Sequence, residues 1–168
     1  RQILEDLGLC MGVGDVADAF HRFRIDEFFS SFFGLMDVKA GDVGMVGVDL
    51  GWGPLGPDDL VTPCFTSLPM GFTWSLYFCQ ITGEHHVPKA EGMAHSIRMH
   101  DKGNTLVLRV SRDGNPEPNF VSHYVYVDNI GIFSFGAPRT RILLDRVMSH
   151  FGGLGLEMHE VEVFESVG

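Results

Sequence analysis

The chemistry open to this chain starts from Asp128 and Asn129, a polar pair set between two apolar runs in His123-Tyr124-Val125-Tyr126-Val127-Asp128-Asn129-Ile130-Gly131-Ile132-Phe133-Ser134. The flanks are β-branched and aromatic at nearly every position, which fits strands buried on both faces. An Asp-Asn break between such runs predicts a tight hairpin with the pair at its tip, since Asn tolerates the positive φ of a primed turn. A carboxylate at the end of a buried hairpin is costly unless solvent, a metal or a partner compensates it. Taken alone, the pair reads first as turn residues and nothing more, and only second as the seat of a ligand.

Other chemistry is poorly represented. The three cysteines, Cys10, Cys64 and Cys79, are widely spaced and form neither a disulfide framework nor a zinc pattern, as in a reducing compartment. Eight histidines are scattered, and the adjacent His85 and His86 read as solvated or core residues because no ligand spacing accompanies them. The 168 residues carry a formal charge of −10, which argues against an extended nucleic-acid surface on this piece alone. Hydrophobic content of 45% marks a globular chain. There is no signal or membrane-spanning segment, which fits an intracellular location. The chain opens Arg1-Gln2-Ile3 rather than on methionine, as a fragment would.

Several elements must position the hairpin. Residues 2–7 predict a short helix closed by Gly8, and Cys10 to Ala17 a strand interrupted by Gly12 and Gly14. Asp26 to Phe33 predicts a helix start with four phenylalanines packed inward, Asp26 or Glu27 complementing its dipole. Residues 34–67 predict two or three strands joined by Gly- and Pro-rich turns, the last running from Leu60 to Leu68. Phe72 to Thr82 has helical pattern, limited by Pro88, and a second amphipathic helix is expected from Glu91 to His100. Thr105 to Val110 predicts a strand and Arg112 to Asn119 a loop. Pro138 opens a helix of about fifteen residues that ends near Gly152-Gly153, and Leu154 to Val163 predicts a final strand or hairpin.

Three separated segments resemble, in order and rough spacing, the catalytic motifs of reverse transcriptases. Asp15-Val16-Ala17-Asp18-Ala19-Phe20-His21 resembles the first, a strand-borne aspartate followed by a small residue and an aromatic. Leu68-Pro69-Met70-Gly71-Phe72-Thr73-Trp74-Ser75 resembles the second, a Leu-Pro-x-Gly turn entering a helix, with Phe78 and Gln80 also at family positions. Tyr126-Val127-Asp128-Asn129 resembles the Tyr-x-Asp-Asp hairpin. Ile3 to Phe20 and Gly153-Leu154-Gly155-Leu156 are similar to flanking segments of LTR-retrotransposon enzymes.

The resemblance implies an α+β polymerase palm over residues 1–168, an antiparallel sheet backed by helices on one face, with an insertion within residues 84–120. It implies RNA-directed DNA synthesis by two-metal nucleotidyl transfer, with two Mg2+ (or Mn2+) ions about 3.5–4 Å apart. Asp15, Asp128 and Asn129 would be the catalytic set, and Asp15, Asp128 and the Val16 carbonyl the metal ligands. Phe20 would exclude a 2′-hydroxyl, although as a residue it reads equally as core. Met70 and Gly71 would lie under the incoming nucleotide and template. The implied partners are an RNA or DNA template–primer and deoxynucleoside triphosphates, with fingers, thumb, and RNase H or integrase parts elsewhere in a polyprotein. On this reading the isolated chain, lacking the basic fingers, does not extend a primer.

The chain departs from the family at three places. Asn129 stands for the second aspartate of the hairpin, Leu76 for a usual proline, and Glu160 falls near a usual lysine. These departures favour a second reading, a decayed or repurposed palm that acts as a non-catalytic interaction module. A different palm polymerase or a cyclase fits the Leu-Pro-x-Gly segment less well.

Overall fold

The structure, a computed structural model, describes residues 8–100, 117 and 119–165. Along the chain run β1 (Leu9–Val16), α1 (Ala19–Arg22), α2 (Glu27–Ser30), β2 (Val38–Lys39), β3 (Leu60–Val61) and α3 (Thr73–His86). Then come β4 (Ile97–Arg98), β5 (Val121–Tyr126), β6 (Asn129–Phe135), α4 (Ala137–Gly152) and β7 (Met158–Phe164). The architecture is α+β, and the chain divides into two compact units. One takes the segments up to Ala19 and from Thr73 onward, and the other is Phe20–Phe72.

The first unit is built on a five-stranded sheet of order β4-β5-β6-β1-β7. Four strands form an antiparallel set, and β4 joins β5 in parallel, so the sheet is mixed rather than wholly antiparallel. Directly paired residues share a face, and the register therefore sorts the side chains. Gly12, Ile132, Ser134, Ile130 and Val125 point one way. Both long helices lie on that side. A Cβ at Gly12 would meet Leu144 and Thr140 of α4 at 3.1 and 3.2 Å, and one at Gly83 of α3 would meet Val125 at 2.5 Å. These two glycines let helix and sheet approach closely. Between the layers Ile132, Leu144, Val147 and Phe151 are essentially fully buried. Burial of each such side chain contributes roughly 1.5–3 kcal/mol. Ser134 Oγ and Thr140 Oγ1, 2.7 Å apart, satisfy one another inside this core.

The opposite face carries Leu9, Met11, Phe133, Phe135 and Tyr124, which pack around buried Phe120. Tyr124 lies opposite Gly131, and a Cβ there would fall 1.9 Å from its ring. Glycine is required because the phenol ring covers the backbone at that point.

His123 is buried on the helix-facing side of β5. Ser96 Oγ donates to the Met93 carbonyl (2.7 Å) and lies 2.8 Å from His123 Nδ1. The serine proton is thereby used, so Nδ1–H is the donor to Ser96 and Nε2 keeps its lone pair. That nitrogen meets no partner among the described residues. Burial, then the Arg98 guanidinium, push the imidazole down to about 4, against a smaller opposite pull from Glu84.

In the second unit Asp26 caps α2, its Oδ1 accepting from Phe29 N at 2.8 Å. A single α-turn and a 3-10 turn over Ser31–Phe33 follow instead of a long helix. Only two of the four phenylalanines turn inward. Phe29 and Phe33 stack edge-on against Phe72, whereas Phe28 and Phe32 are exposed. The strand expected over Leu60 to Leu68 reduces to β3, because Pro63 has no N–H to give a ladder. Isolated bridges Gly34↔Cys64 and Arg24↔Ser67 carry the chain onward.

Elsewhere β1, α3 and α4 fall close to expectation. Pro138 lies in the first turn of α4, and Pro88 lies in the 3-10 turn that ends α3. The tail forms β7, beginning later than the predicted 154. No helix runs from Glu91 to His100. Gly92 adopts φ +84°, Ser96 bonds back to Met93, and β4 takes the segment into the sheet. The predicted helix at 2–7, the strand at 105–110 and most of the loop at 112–119 lie outside the described residues, as does part of the 84–120 interval. No described helix is long and apolar enough to cross a membrane.

Two outcomes test this packing. Unfolded, His123 titrates near the ordinary value of about 6.5, and folded near 4. Between these the unfolded chain binds more protons, so the contribution is whole above about pH 6.5 and is lost as pH falls toward 4. His123→Gln should flatten that slope, removing roughly 3 kcal/mol of pH dependence at about 1.4 kcal/mol per unit, as read by urea unfolding at stepped pH. Gly131→Ala should destabilise by about 2–3 kcal/mol through overpacking. Adding Tyr124→Ala should cost less than the sum of the two changes, because the clash is removed with the ring.

Candidate functional site

The site forms where β1 ends beside the β5–β6 hairpin. Tyr126 pairs with Asn129, so the two-residue loop is Val127-Asp128 and not Asp128-Asn129. The correction is one residue, and its cause is local: Asn129 takes a ladder position in β6, and Val127 carries the positive φ, +59°. Positive φ at the first loop position alone is the sign pattern of a type II′ turn, a place that ordinarily takes glycine. A β-branched residue there is a true outlier, costing on the order of 1–3 kcal/mol.

Gln80 on α3 over-determines this turn. Its Nε2 donates to the Val125 carbonyl at 2.8 Å and its Oε1 accepts from Val127 N at 2.7 Å. One side chain thus holds the two peptide groups that flank Tyr126, immediately before the strained residue. Nε2 also reaches Glu84 Oε1 at 2.8 Å, which orients the amide. Glu84 in turn pairs with Arg98 at 2.7 Å.

The turn sets Asp128 against β1. Val16 N donates to the Asp128 carbonyl at 3.0 Å, and Asp15 is the partner of Asn129 in the ladder. Asp15, Asp128 and Asn129 therefore meet at one end of two adjacent strands, with Val16 beside them. Asn129 Nδ2 donates to Asp15 Oδ1 at 2.7 Å, and the Tyr124 hydroxyl donates to Asn129 Oδ1 at 2.8 Å. The carboxylate can only accept, which fixes the amide with its nitrogen toward Asp15. Asp15, Asn129 and Tyr124 lie on the sheet face away from α3 and α4, as the pairings Asp15↔Asn129 and Tyr124↔Gly131 require.

Electrostatics follow from this arrangement. Burial, with the Asp15 carboxylate second, raises the Tyr124 phenol, which stays a proton donor at neutral pH. Burial and then the Asp128 charge raise the Cys79 thiol to about 11, so it supplies no thiolate. What remains is hard oxygen: the carboxylates of Asp15 and Asp128 and backbone carbonyls. That donor chemistry fits magnesium or manganese and does not suit a soft metal. Asn129 puts an N–H donor on one Asp15 oxygen and engages its own oxygen with Tyr124, so it adds neither charge nor a free ligand. No group of three or more His, Cys, Asp or Glu poised for a metal occurs among the described residues.

The remaining expected residues belong to the other unit. Phe20 is half-buried, Met70 is exposed, and Gly71 adopts φ +93° in the turn before α3. Sequence reasoning named Gln80 only by position and missed Tyr124 as part of the site. With the loop correctly at 127–128, strand alternation alone would have put Tyr124 and Asn129 on one face.

Gln80→Ala should leave the Val127 N–H and Val125 carbonyl without partners and cost about 1–3 kcal/mol. Val127→Gly removes the left-handed penalty of about 1–2 kcal/mol but adds the glycine entropy cost. It should leave stability unchanged or raise it by up to about 1 kcal/mol. Urea unfolding of both variants reads these effects, and a large loss in Val127→Gly would contradict the strained turn.

Neither family models nor curated proteins yield a match to this chain.

Proposed function

We propose that this chain is the palm of an RNA-directed DNA polymerase of a retroelement, acting by two-metal nucleotidyl transfer. One observation carries the reading: Asp15 at the end of β1 and Asp128 in the β5–β6 loop meet through the Val16–Asp128 backbone bond, on neighbouring strands. That bond joins the two segments at one end of the sheet, where carboxylate oxygen is the donor a hard divalent cation takes. The helix-backed sheet, with Asp15 on the face away from α3 and α4, supports the palm assignment within the α+β class.

On this reading Asp15, Asp128 and the Val16 carbonyl hold divalent magnesium or manganese. Bound there, the ions would activate the attacking hydroxyl and neutralise charge on the transferring phosphoryl group. The chain's own part is positioning: the Gln80 clamp fixes Asp128, and Asn129 fixes the rotamer of Asp15. Phe20, Met70 and Gly71 take the nucleotide-facing roles, and the partners are template–primer and deoxynucleoside triphosphates.

A second reading has its own observation. The Asn129 amide donates to Asp15 at 2.7 Å and gives that carboxylate a neutral partner, which is what a palm retained as a non-catalytic interaction module would tolerate. The two readings part under mutation. Set in its full reading frame and given a primed RNA template, the enzyme should show low Mg2+- or Mn2+-dependent extension. Asp128→Ala should abolish it. Asn129→Asp should raise it and tighten metal binding, since ligand charge governs affinity for hard cations. Without metal, the same Asn129→Asp should destabilise this chain by about 2 kcal/mol through the new like-charge pair. A module of the second kind gives no extension in any variant, and activity surviving Asp128→Ala would refute the polymerase reading.

A further inference from the structure

A second group of chemistry-bearing residues lies where α3 and α4 end, apart from the carboxylates. His86 is the last residue of α3, and His150 is in the last turn of α4. Their nitrogens His86 Nδ1 and His150 Nε2 are 3.3 Å apart, and both rings are partly buried. Phe151 closes one side, its ring centroid 6.3 Å from that of His86.

The spacing fits a metal as well as a hydrogen bond. Two ligand nitrogens at zinc–nitrogen distances of 2.0–2.1 Å, subtending a tetrahedral angle, lie about 3.3–3.4 Å apart. The two imidazoles now share one proton between those nitrogens. Turning both lone pairs toward a cation needs no net proton loss, because the donor ring can move its proton to its other nitrogen. We propose that His86 and His150 form a two-histidine site for a borderline divalent transition metal of the zinc and copper class, bridging the ends of α3 and α4.

Local charge sets the character of the site. Burial, then Lys89, His85 and His150, lower the His86 imidazole. His85 is not a third ligand: its Nε2 accepts from the Lys89 ammonium at 2.6 Å. That ammonium opposes a dication and moderates affinity. No further His, Cys, Asp or Glu completes the pair among the described residues, so water fills the other positions. Imidazole nitrogen selects zinc, copper or nickel over magnesium, and this separates the site from the oxygen donors at Asp15 and Asp128.

The test uses the full 168-residue chain with zinc chloride, and magnesium chloride as control. Titration calorimetry should find one zinc per chain, and zinc but not magnesium should raise the melting midpoint. Losing a group that only supports a ligand already weakens metal sites about tenfold or more, so His86→Gln or His150→Gln should weaken zinc binding at least about tenfold. His85→Gln should not. Should a variant fail to fold, zinc-induced shifts of the His86 and His150 ring nitrogens in 15N spectra of the native chain decide the matter. Absence of those shifts, or zinc affinity unchanged in both variants, overturns the site.

Discussion

A valine held at φ +59° is the constraint on which the candidate site depends. Nothing in the β5–β6 ladder itself favours that conformation, and a β-branched side chain opposes it. It persists because Gln80, from a helix packed against the same sheet, bonds the Val127 N–H and the Val125 carbonyl and so holds the backbone that enters the turn. The close approach of that helix depends in turn on Gly83, which leaves room for Val125. Helix packing, amide clamp and turn are thus one chain of cause. Its outcome is that Asp128 presents its carbonyl to Val16 and that Asn129, one residue on, comes opposite Asp15. Strain stored in a turn this well supported is the pattern found at functional sites, and the inference runs from the outlier to the function.

The second determinant is charge. An aspartate at 129 would stand a second carboxylate within hydrogen-bond reach of Asp15, and the apo fold would have to bear the repulsion. The amide converts that contact into attraction, with Tyr124 satisfying the oxygen left over. Gly131 belongs to the same arrangement, since the phenol reaches Asn129 only by lying across the glycine. The Asp15–Asn129–Tyr124 contact is therefore satisfied within itself, with an amide where a further carboxylate would stand. Metal-dependent chemistry there has to compete with an Asp15–Asn129 bond that already exists.

Much of this was readable from the residues, and the misses have definite physical causes. The hydrophobic runs gave β1 and α4 nearly to the residue and β5 and β6 as the two arms of a hairpin, because period and punctuation agreed: Pro138 at the start of α4, Gly152-Gly153 at its end. The hairpin loop was misplaced by one residue, because turn chemistry favours Asn over Val at positive φ, and here tertiary clamping overrode local preference. A one-residue slip reassigns every cross-strand partner, which is why Tyr124 escaped notice. Glu91–His100 looked helical by pattern, but the serine back-bond and parallel pairing with β5 won. Phe28 and Phe32 were expected inside, yet a single helical turn has too narrow a face to bury four rings. His85 and His86 looked alike in sequence. Only the packing of α3 and α4 tells which of them meets His150.

The sheet keeps its two kinds of chemistry on opposite faces. On one side α3 and α4 bury aliphatic side chains, with His123 and the His86–His150 contact in the same layer. On the other side Asp15, Asn129 and Tyr124 stand beyond the Leu9, Phe120 and Phe133 cluster. Covalent alternation enforces the division, since adjacent residues on a strand cannot share a face. Substitution at 129 therefore acts on the carboxylate face and leaves the helix-covered core untouched. A substitution at that position is therefore cheap for the fold, and its effect is felt in the charge at one side chain, Asn129, and in the contact that side chain makes to Asp15.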